Sequence, residues 1–267
     1  MTGKIPRYED VTESPGGGLT AEAGTMIYTR YALAAELSTG LRVLEIGCGA
    51  GVGLGMIAAR ARWVVGGEFS PVLSQAARRQ YASRVPVVRL TAEQLPFAAG
   101  TIDLVLMFET SYYVPRMDRA FAEIRRVLAP RGTVVFVNAN PERSDPVASP
   151  HSYQYHSADQ FRAALAVLGF EVTVQGAFPF GRPQGLAGWA ANAMDFGGRR
   201  LLAGLGLVPR TLAGRARLKR LVFGPLRTIP REIEAGFGVS TPLIALEPGP
   251  VRGYKVIFVT GRLPLGA

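Results

Sequence analysis

Two hydrophobic periods alternate along this chain, and each change of period marks an element. Residues 21–38 carry apolar positions at helical spacing. Short apolar runs follow at Leu41–Ile46, Trp63–Val65, Val85–Leu90, Ile102–Phe108, Thr133–Asn138 and Glu171–Gln175, each with the length and composition of a strand. Helical patterns fall between them. One runs from a glycine turn to about Arg62. A second, Arg116–Leu128, puts Ala120, Phe121, Ile124, Val127 and Leu128 on one side and stops at Pro130-Arg131-Gly132. A third covers Ala158–Leu168. Alternating strand and helix predict an α/β fold, a doubly wound and mostly parallel sheet with helices on both faces. Residues 1–20 are polar and rich in Gly and Pro, and Gly16-Gly17-Gly18 suggests a flexible arm.

The first strand breaks into Gly47-Cys48-Gly49-Ala50-Gly51 and then a helix. Glycine permits positive φ and close approach of backbone to a ligand, and the helix beyond offers unpaired N–H groups. Glu45 stands just before the turn, where a phosphate-binding loop would not put a carboxylate but a ligand bearing an ammonium group would find one useful. Glu68 lies about twenty residues past the turn, where doubly wound folds place an acid on ribose hydroxyls. A nicotinamide-binding fingerprint fits poorly. Windows starting at Gly47 and Gly49 end on Val52 and Leu54, and only a start at Gly53, inside the helix, ends on a small residue, Ala58.

These ordered motifs resemble the class I S-adenosylmethionine-dependent methyltransferases, closely over residues 26–140 and in pattern over 150–180 and 253–262. The resemblance implies a seven-stranded Rossmann-like sheet whose last strand, Tyr254–Thr260, is antiparallel, and S-adenosyl-L-methionine as cofactor. It implies that Glu45 and the backbone of Gly47, Cys48, Gly49 and Gly51 hold the methionine end. Glu68 would take the ribose and Phe69 pack on adenine. Ala92, Glu93 and Gln94 would border the adenine amine, Phe108 and Glu109 would line the transfer site, and Tyr28–Tyr31 would sit on the helix covering the cofactor. Cys48 reads as a small buried thiol rather than a nucleophile, because no base is apparent nearby.

A single domain follows: arm and covering helix at 1–39, core at 40–179, insertion or lid at 180–253, last strand at 254–262. The insertion changes the picture of charge. Between Arg182 and Arg231 stand Arg182, Arg199, Arg200, Arg210, Arg215, Arg217, Lys219, Arg220, Arg227 and Arg231 against one acid, Asp195, which accounts for nearly all of the chain's net +10. Such a stretch attracts anions: a charged substrate, anionic lipid or nucleic acid. From Leu212 to Phe223, Arg215 and Lys219 project among the apolar positions, and Pro209, Pro225 and Pro230 divide the segment, which favours a basic-rimmed lid over a membrane-surface helix. Peripheral membrane contact stays open. Nucleic acid is disfavoured: the interleaved aromatics are few (Trp189, Phe196, Phe223), and Phe-Glu-Thr-Ser-Tyr stands where amine methyltransferases of this class carry Asn/Asp-Pro-Pro-Tyr/Phe. An RNA methyltransferase or a non-catalytic scaffold are the alternatives.

No apolar run reaches transmembrane length, and the amino-terminal residues lack a secretory signal's apolar stretch, so a cytoplasmic protein is expected. One cysteine and two histidines exclude a disulfide framework and make a zinc site implausible; no metal is expected. The chemistry implied is displacement at a sulfonium methyl, in which positioning at ~3 Å supplies most of the rate. The acceptor expected is a small molecule, a saccharide or a lipid-linked intermediate methylated at oxygen. A neutral hydroxyl acceptor needs a base. His151 and His156, in the loop after the fifth strand, and Glu109 and Tyr113, after the fourth, are the candidate catalytic residues; Tyr112 and Tyr113 also suit an acceptor wall.

Overall fold

The computed structural model describes residues 7–143, 148–179 and 226–265. The elements in chain order are β1 (Gly18–Leu19), α1 (Ala21–Leu37), β2 (Arg42–Ile46), α2 (Leu54–Ala58), β3 (Trp63–Glu68), α3 (Pro71–Tyr81), β4 (Val87–Arg89), β5 (Ile102–Phe108), α4 (Met117–Val127), β6 (Leu128–Ala139), α5 (Ala158–Val167), β7 (Glu171–Pro179), β8 (Arg227–Thr228), β9 (Ile244–Ala245) and β10 (Tyr254–Arg262). The helices start where the sequence supplies caps. Thr20 accepts from the Ala23 N–H, Ser70 precedes Pro71 at the start of α3, and Ser157 and Gln160 form a reciprocal capping box on α5.

The main sheet has eight strands in the order β4-β3-β2-β5-β6-β10-β7-β9. The pairs from β4 to β6 are parallel, and β10 runs antiparallel between β6 and β7. The period-2 pattern sorts side chains to two cores. Leu104, Leu106 and Phe108 of β5 face α1, α2 and α3, while Val105 and Met107 face α4 and α5. On the second face Phe121, Phe136 and Phe161 pack as a cluster with ring centroids 5.0–6.0 Å apart.

Several expectations are corrected. An eighth strand, β9, pairs antiparallel with β7 inside the stretch read as an insertion. Two paired residues carry too little periodicity to be read in advance. The helix after the glycine turn ends at Ala58, not Arg62. The Pro130-Arg131-Gly132 stop lies inside β6, where Arg131 takes φ +65° and the register against β5 jumps from Leu128 to Thr133. The arm from residue 7 is built: a 3-10 turn covers Tyr8–Asp10, and β1 pairs with β8. Of the ten basic residues counted between Arg182 and Arg231, only Arg227 and Arg231 are described. Arg182 through Arg220, the Leu212–Phe223 wheel, Trp189 and Phe223 lie outside the described residues.

Phe136, fully buried, holds the centre of the aromatic cluster. Phe136→Ala is expected to lower unfolding free energy by about 3–5 kcal/mol, read from the urea midpoint at unchanged slope.

Candidate active site at the carboxyl edge of the sheet

The chain winds from β2 outward through β3 to β4, then returns to place β5 on the other side of β2. Loops leaving the carboxyl ends of β2 and β5 therefore part in opposite directions and leave a crevice. It is a cavity of about 580 Å³. Its floor is the glycine turn, with Gly47 at φ +77° and Gly49 at +58°. The N–H groups of Gly47 and Cys48 donate to the Gly67 carbonyl at 2.7 and 3.1 Å, tying the turn to β3. A Cβ at Gly47 would collide with the Thr110 side chain, so only glycine satisfies both the left-handed backbone and the space.

Three carboxylates surround this turn: Glu45 and Glu68, both buried, and Glu109, half-buried. Glu45 is 1% exposed. Its Oε1 accepts from the Tyr31 hydroxyl at 2.7 Å, and its Oε2, also buried, has no partner. Burial pushes its carboxyl up to about 7, against the opposing effects of the Tyr31 hydrogen bond and the Arg30 charge. Glu68 accepts from the Gly49 N–H on Oε2 and the Ser70 N–H on Oε1, both at 2.8 Å; burial raises its pKa and these bonds oppose the rise. Glu109, at the end of β5, takes φ +48° and donates its N–H to Val137 O at 2.7 Å. Its Oε2 accepts from the Tyr112 hydroxyl at 2.8 Å and the Ala139 N–H at 3.3 Å, and burial raises its pKa.

Arg30 of α1 is buried beside them and pairs with Glu13 of the arm. Burial is the largest single effect and works to lower its pKa, but the charges of Glu13, Tyr31 and Glu109 and the Glu13 hydrogen bond together outweigh it, and the guanidinium stays charged. Its Nε is buried and donates to nothing.

The structure brings most of the sequence candidates to one cavity: Tyr31, Gly47, Cys48, Gly49, Glu68, Phe69, Ala92, Glu93, Phe108, Glu109 and Tyr113 all line it. Glu45 is not in the lining but is bonded to the hydroxyl of Tyr31, which is. Gly51 is below the turn, its carbonyl bonded to the Tyr81 hydroxyl at 2.7 Å. Gln94 is exposed and lies off the cavity. The histidines are corrected. His156 packs on Phe161 and Phe121, with centroids 5.5 and 6.1 Å away, in the core under α4 and α5. It precedes the Ser157 cap and faces the fourth residue of α5, the position of a hydrophobic staple; burial lowers its pKa. His151 packs edge-on to Tyr8 at 6.1 Å, outside the lining. Residues not singled out in the sequence also reach the site, Tyr8, Thr12 and Glu13 from the arm, and so does Arg30, which the sequence placed on the covering helix without a role of its own. The sequence signal for Arg30 is its position beside Tyr31 and one turn from Ile27 and Ala34, on the side of α1 that the structure buries.

The family described as "Methyltransferase domain" matches residues 44–136. The chain is 34% identical over 110 residues to a fatty-acid O-methyltransferase of Mycolicibacterium smegmatis, covering 40% of each chain. It is 35% identical over 121 residues to phthiotriol/phenolphthiotriol dimycocerosates methyltransferase 1 of Mycobacterium ulcerans, covering 43% of each. Among solved structures, phosphoethanolamine N-methyltransferase 2 of Haemonchus contortus, in complex with S-adenosyl-L-methionine, has the same fold at TM-score 0.53 and 16% identity, over 94% of this chain and 54% of that one. Residues 44–136 thus carry a methyltransferase domain, in a chain whose fold is that of the class I S-adenosylmethionine-dependent methyltransferases. The chain spans about two fifths of the length of the two curated relatives.

The cofactor of this methyltransferase family fits the residues present. Buried polar groups seldom lack partners, yet two beside Tyr31 do: the acceptor Glu45 Oε2 and the donor Arg30 Nε. An amino-acid end carrying an ammonium and a carboxylate supplies the complement of both. Among the described residues no cluster of His, Cys, Asp or Glu could hold a metal.

The Glu45 carboxyl generates a pH prediction. Between its ordinary value of 4.5 and about 7 the ligand-free folded chain holds a proton that the unfolded chain has released. Stability of the ligand-free protein should therefore fall as pH rises through that window, by on the order of 3 kcal/mol in all. An ammonium ligand needs the ionised form, so S-adenosylhomocysteine affinity should rise about tenfold between pH 6 and 8 with release of a proton. Calorimetry in buffers of different ionisation enthalpy reads that proton, and Glu45→Gln should abolish it. A wild-type affinity flat with pH would refute the assignment.

Proposed function

We propose that this chain transfers a methyl group from S-adenosylmethionine to an oxygen of an apolar, lipid-like small molecule. The observation that carries the reading is the pair of unpartnered buried atoms, Glu45 Oε2 and Arg30 Nε, on either side of Tyr31. Glu45 would take the cofactor's ammonium and Arg30 its carboxylate. Glu68, whose two oxygens each accept only one backbone N–H, has lone pairs left for the ribose hydroxyls. Phe69, 44% exposed at the cavity wall, offers an open ring face for adenine. Bound there, the cofactor supplies a methyl group already activated by a sulfonium. The protein's part is to hold it in line with the acceptor and keep water out.

The arm contributes to that exclusion. Thr12 lies over the glycine turn, with its Cγ2 2.9 Å from where a Cβ on Gly49 would stand. Tyr8 meets the Phe69 and Tyr113 rings edge-on at 6.1 and 5.3 Å. A lipid-like acceptor is supported by the names of the two curated relatives and by the apolar lining on the acceptor side, including Met26, Val114 and Val256. The basic stretch between Arg182 and Arg231 would attract an anionic group elsewhere on the acceptor, or an anionic membrane surface. Among the described residues no helix is long and apolar enough to cross a membrane.

Calorimetric titration with S-adenosylhomocysteine, with NADH as control, tests the reading: micromolar binding of the first alone is expected, and binding of neither would sink it. Glu68→Ala should weaken S-adenosylhomocysteine binding roughly 10- to 100-fold, as befits loss of hydrogen bonds to a charged group. A melting curve in parallel shows that the variant is folded. Unchanged affinity would remove Glu68 from the site.

A further inference from the structure

We propose that the acceptor presents a hydroxyl, not a carboxylate, to the transferred methyl group, and that Glu109 receives the proton of that hydroxyl; the inference rests on the methyl-transfer reading above. Glu109 lines the cavity in a left-handed backbone conformation that side chains with a Cβ rarely adopt. Strain of this kind persists where the surroundings hold it and gathers at functional sites. Here the Val137 carbonyl on one side and the Ala139 N–H on the other hold it. Both bonds that the side chain accepts fall on Oε2. Oε1 accepts none and is not among the buried unpartnered atoms, so it opens to the cavity.

The other lining carboxylates are engaged differently. Glu13 pairs with Arg30, Glu68 takes two backbone N–H groups, and Glu93 takes the Arg116 N–H at 3.1 Å. Arg30, Arg143 and Lys255 are the lining cations; Arg30 pairs with Glu13, and Lys255 is held by both oxygens of Glu22 at 2.8 and 2.9 Å. The charged and titratable groups acting on Glu109 and its partner Tyr112 are Arg30, Glu13, Tyr113 and Tyr155. An open carboxylate oxygen in this setting accepts a hydrogen bond from a hydroxyl, whereas a carboxylate acceptor would bring a second negative charge against it. Burial raises the Glu109 pKa, which makes it a stronger base than a solvated glutamate. As the hydroxyl oxygen bonds to the methyl carbon, the carbon–sulfur pair stays on sulfur, which leaves as a neutral thioether. The O–H pair stays on oxygen, and the proton passes to Oε1. The aromatic wall around this point, Tyr8 against Tyr113 and Tyr112 stacked on Tyr155 at 4.3 Å, suits a phenolic or apolar skeleton.

The test uses the full chain saturated with S-adenosylhomocysteine and two probes matched in ring and tail, 4-octylphenol and 4-octylbenzoate, titrated at neutral pH. The phenol is expected to bind at least about tenfold more tightly. In Glu109→Gln the preference should collapse while S-adenosylhomocysteine affinity holds, and methylation of the phenol should fall about 100-fold or more. Tyr112→Phe, which keeps both Glu109 oxygens, should retain the preference. The wild-type comparison stands even if Glu109→Gln fails to fold. Equal binding, a benzoate preference, no phenol binding, or an unaltered preference in a folded Glu109→Gln overturns the proposal. Failure of the wild type to bind S-adenosylhomocysteine is a separate result: it overturns the methyltransferase reading and this proposal with it.

Discussion

Two buried polar atoms without partners, Glu45 Oε2 and Arg30 Nε, set the terms for the rest of this site. Each unpaired buried group costs on the order of 1–3 kcal/mol, more when charged. The fold must therefore supply rigidity from elsewhere to hold them. Glu45 is fixed by a central strand with parallel neighbours on both sides. Arg30 and Tyr31 are fixed by α1, whose start is capped by Thr20 and whose buried face packs on the sheet. The Tyr31 hydroxyl joins the two elements, and Glu13 ties the arm to Arg30. The arm is anchored in turn beside the β1–β8 pair, where the Ile229 N–H donates to the Gly17 carbonyl at 2.8 Å. The covering of the cavity is thus a consequence of how one buried guanidinium finds its counter-charge.

What could be read from the sequence follows from how each element announces itself. Strands β2, β5 and β6 are apolar on both faces, and β2 ends in a glycine turn that no other geometry explains. They were legible, and with them Glu45, Glu68 and Glu109. Strands β1, β8 and β9 have two residues each, too few to show a period. The arm read as flexible because glycine and proline dominate it. In the fold those glycines serve proximity instead: a Cβ on Gly18 would stand 2.8 Å from Leu226 Cδ1. His156 misled for another reason. Its chemical type suggested a base, but its position before the Ser157 cap made it a packing residue, and in this place position outweighs type.

The three acids of the site show how partners divide one residue type among three tasks. Glu68 has both oxygens bonded to backbone and is held in one orientation. Glu45 has one oxygen bonded and one sealed from solvent, and Glu109 has one bonded and one open to the cavity. None of these differences is written in the sequence. Each arises from which backbone N–H or tyrosine hydroxyl the fold delivers.

Burial raises the pKa of all three, so the ligand-free cavity carries carboxylates in deficit of positive charge. Arg30 offsets part of that deficit and is itself shared with Glu13. On the proposed reading this field acts on the two forms of the cofactor differently. The donor carries a sulfonium and the product a neutral thioether, while the amino-acid, ribose and adenine contacts are the same for both. In a cavity of low dielectric a single positive charge near several carboxylates is worth far more than in water. The acids that hold the donor therefore lose one of their attractions when the methyl group leaves, and a proton gained by Glu109 in the same step neutralises one of the acids that remain. The two changes offset one another in charge: the cofactor loses one positive charge and Glu109 one negative, so no additional acid is left uncompensated and the product is held by its neutral contacts and its amino-acid end.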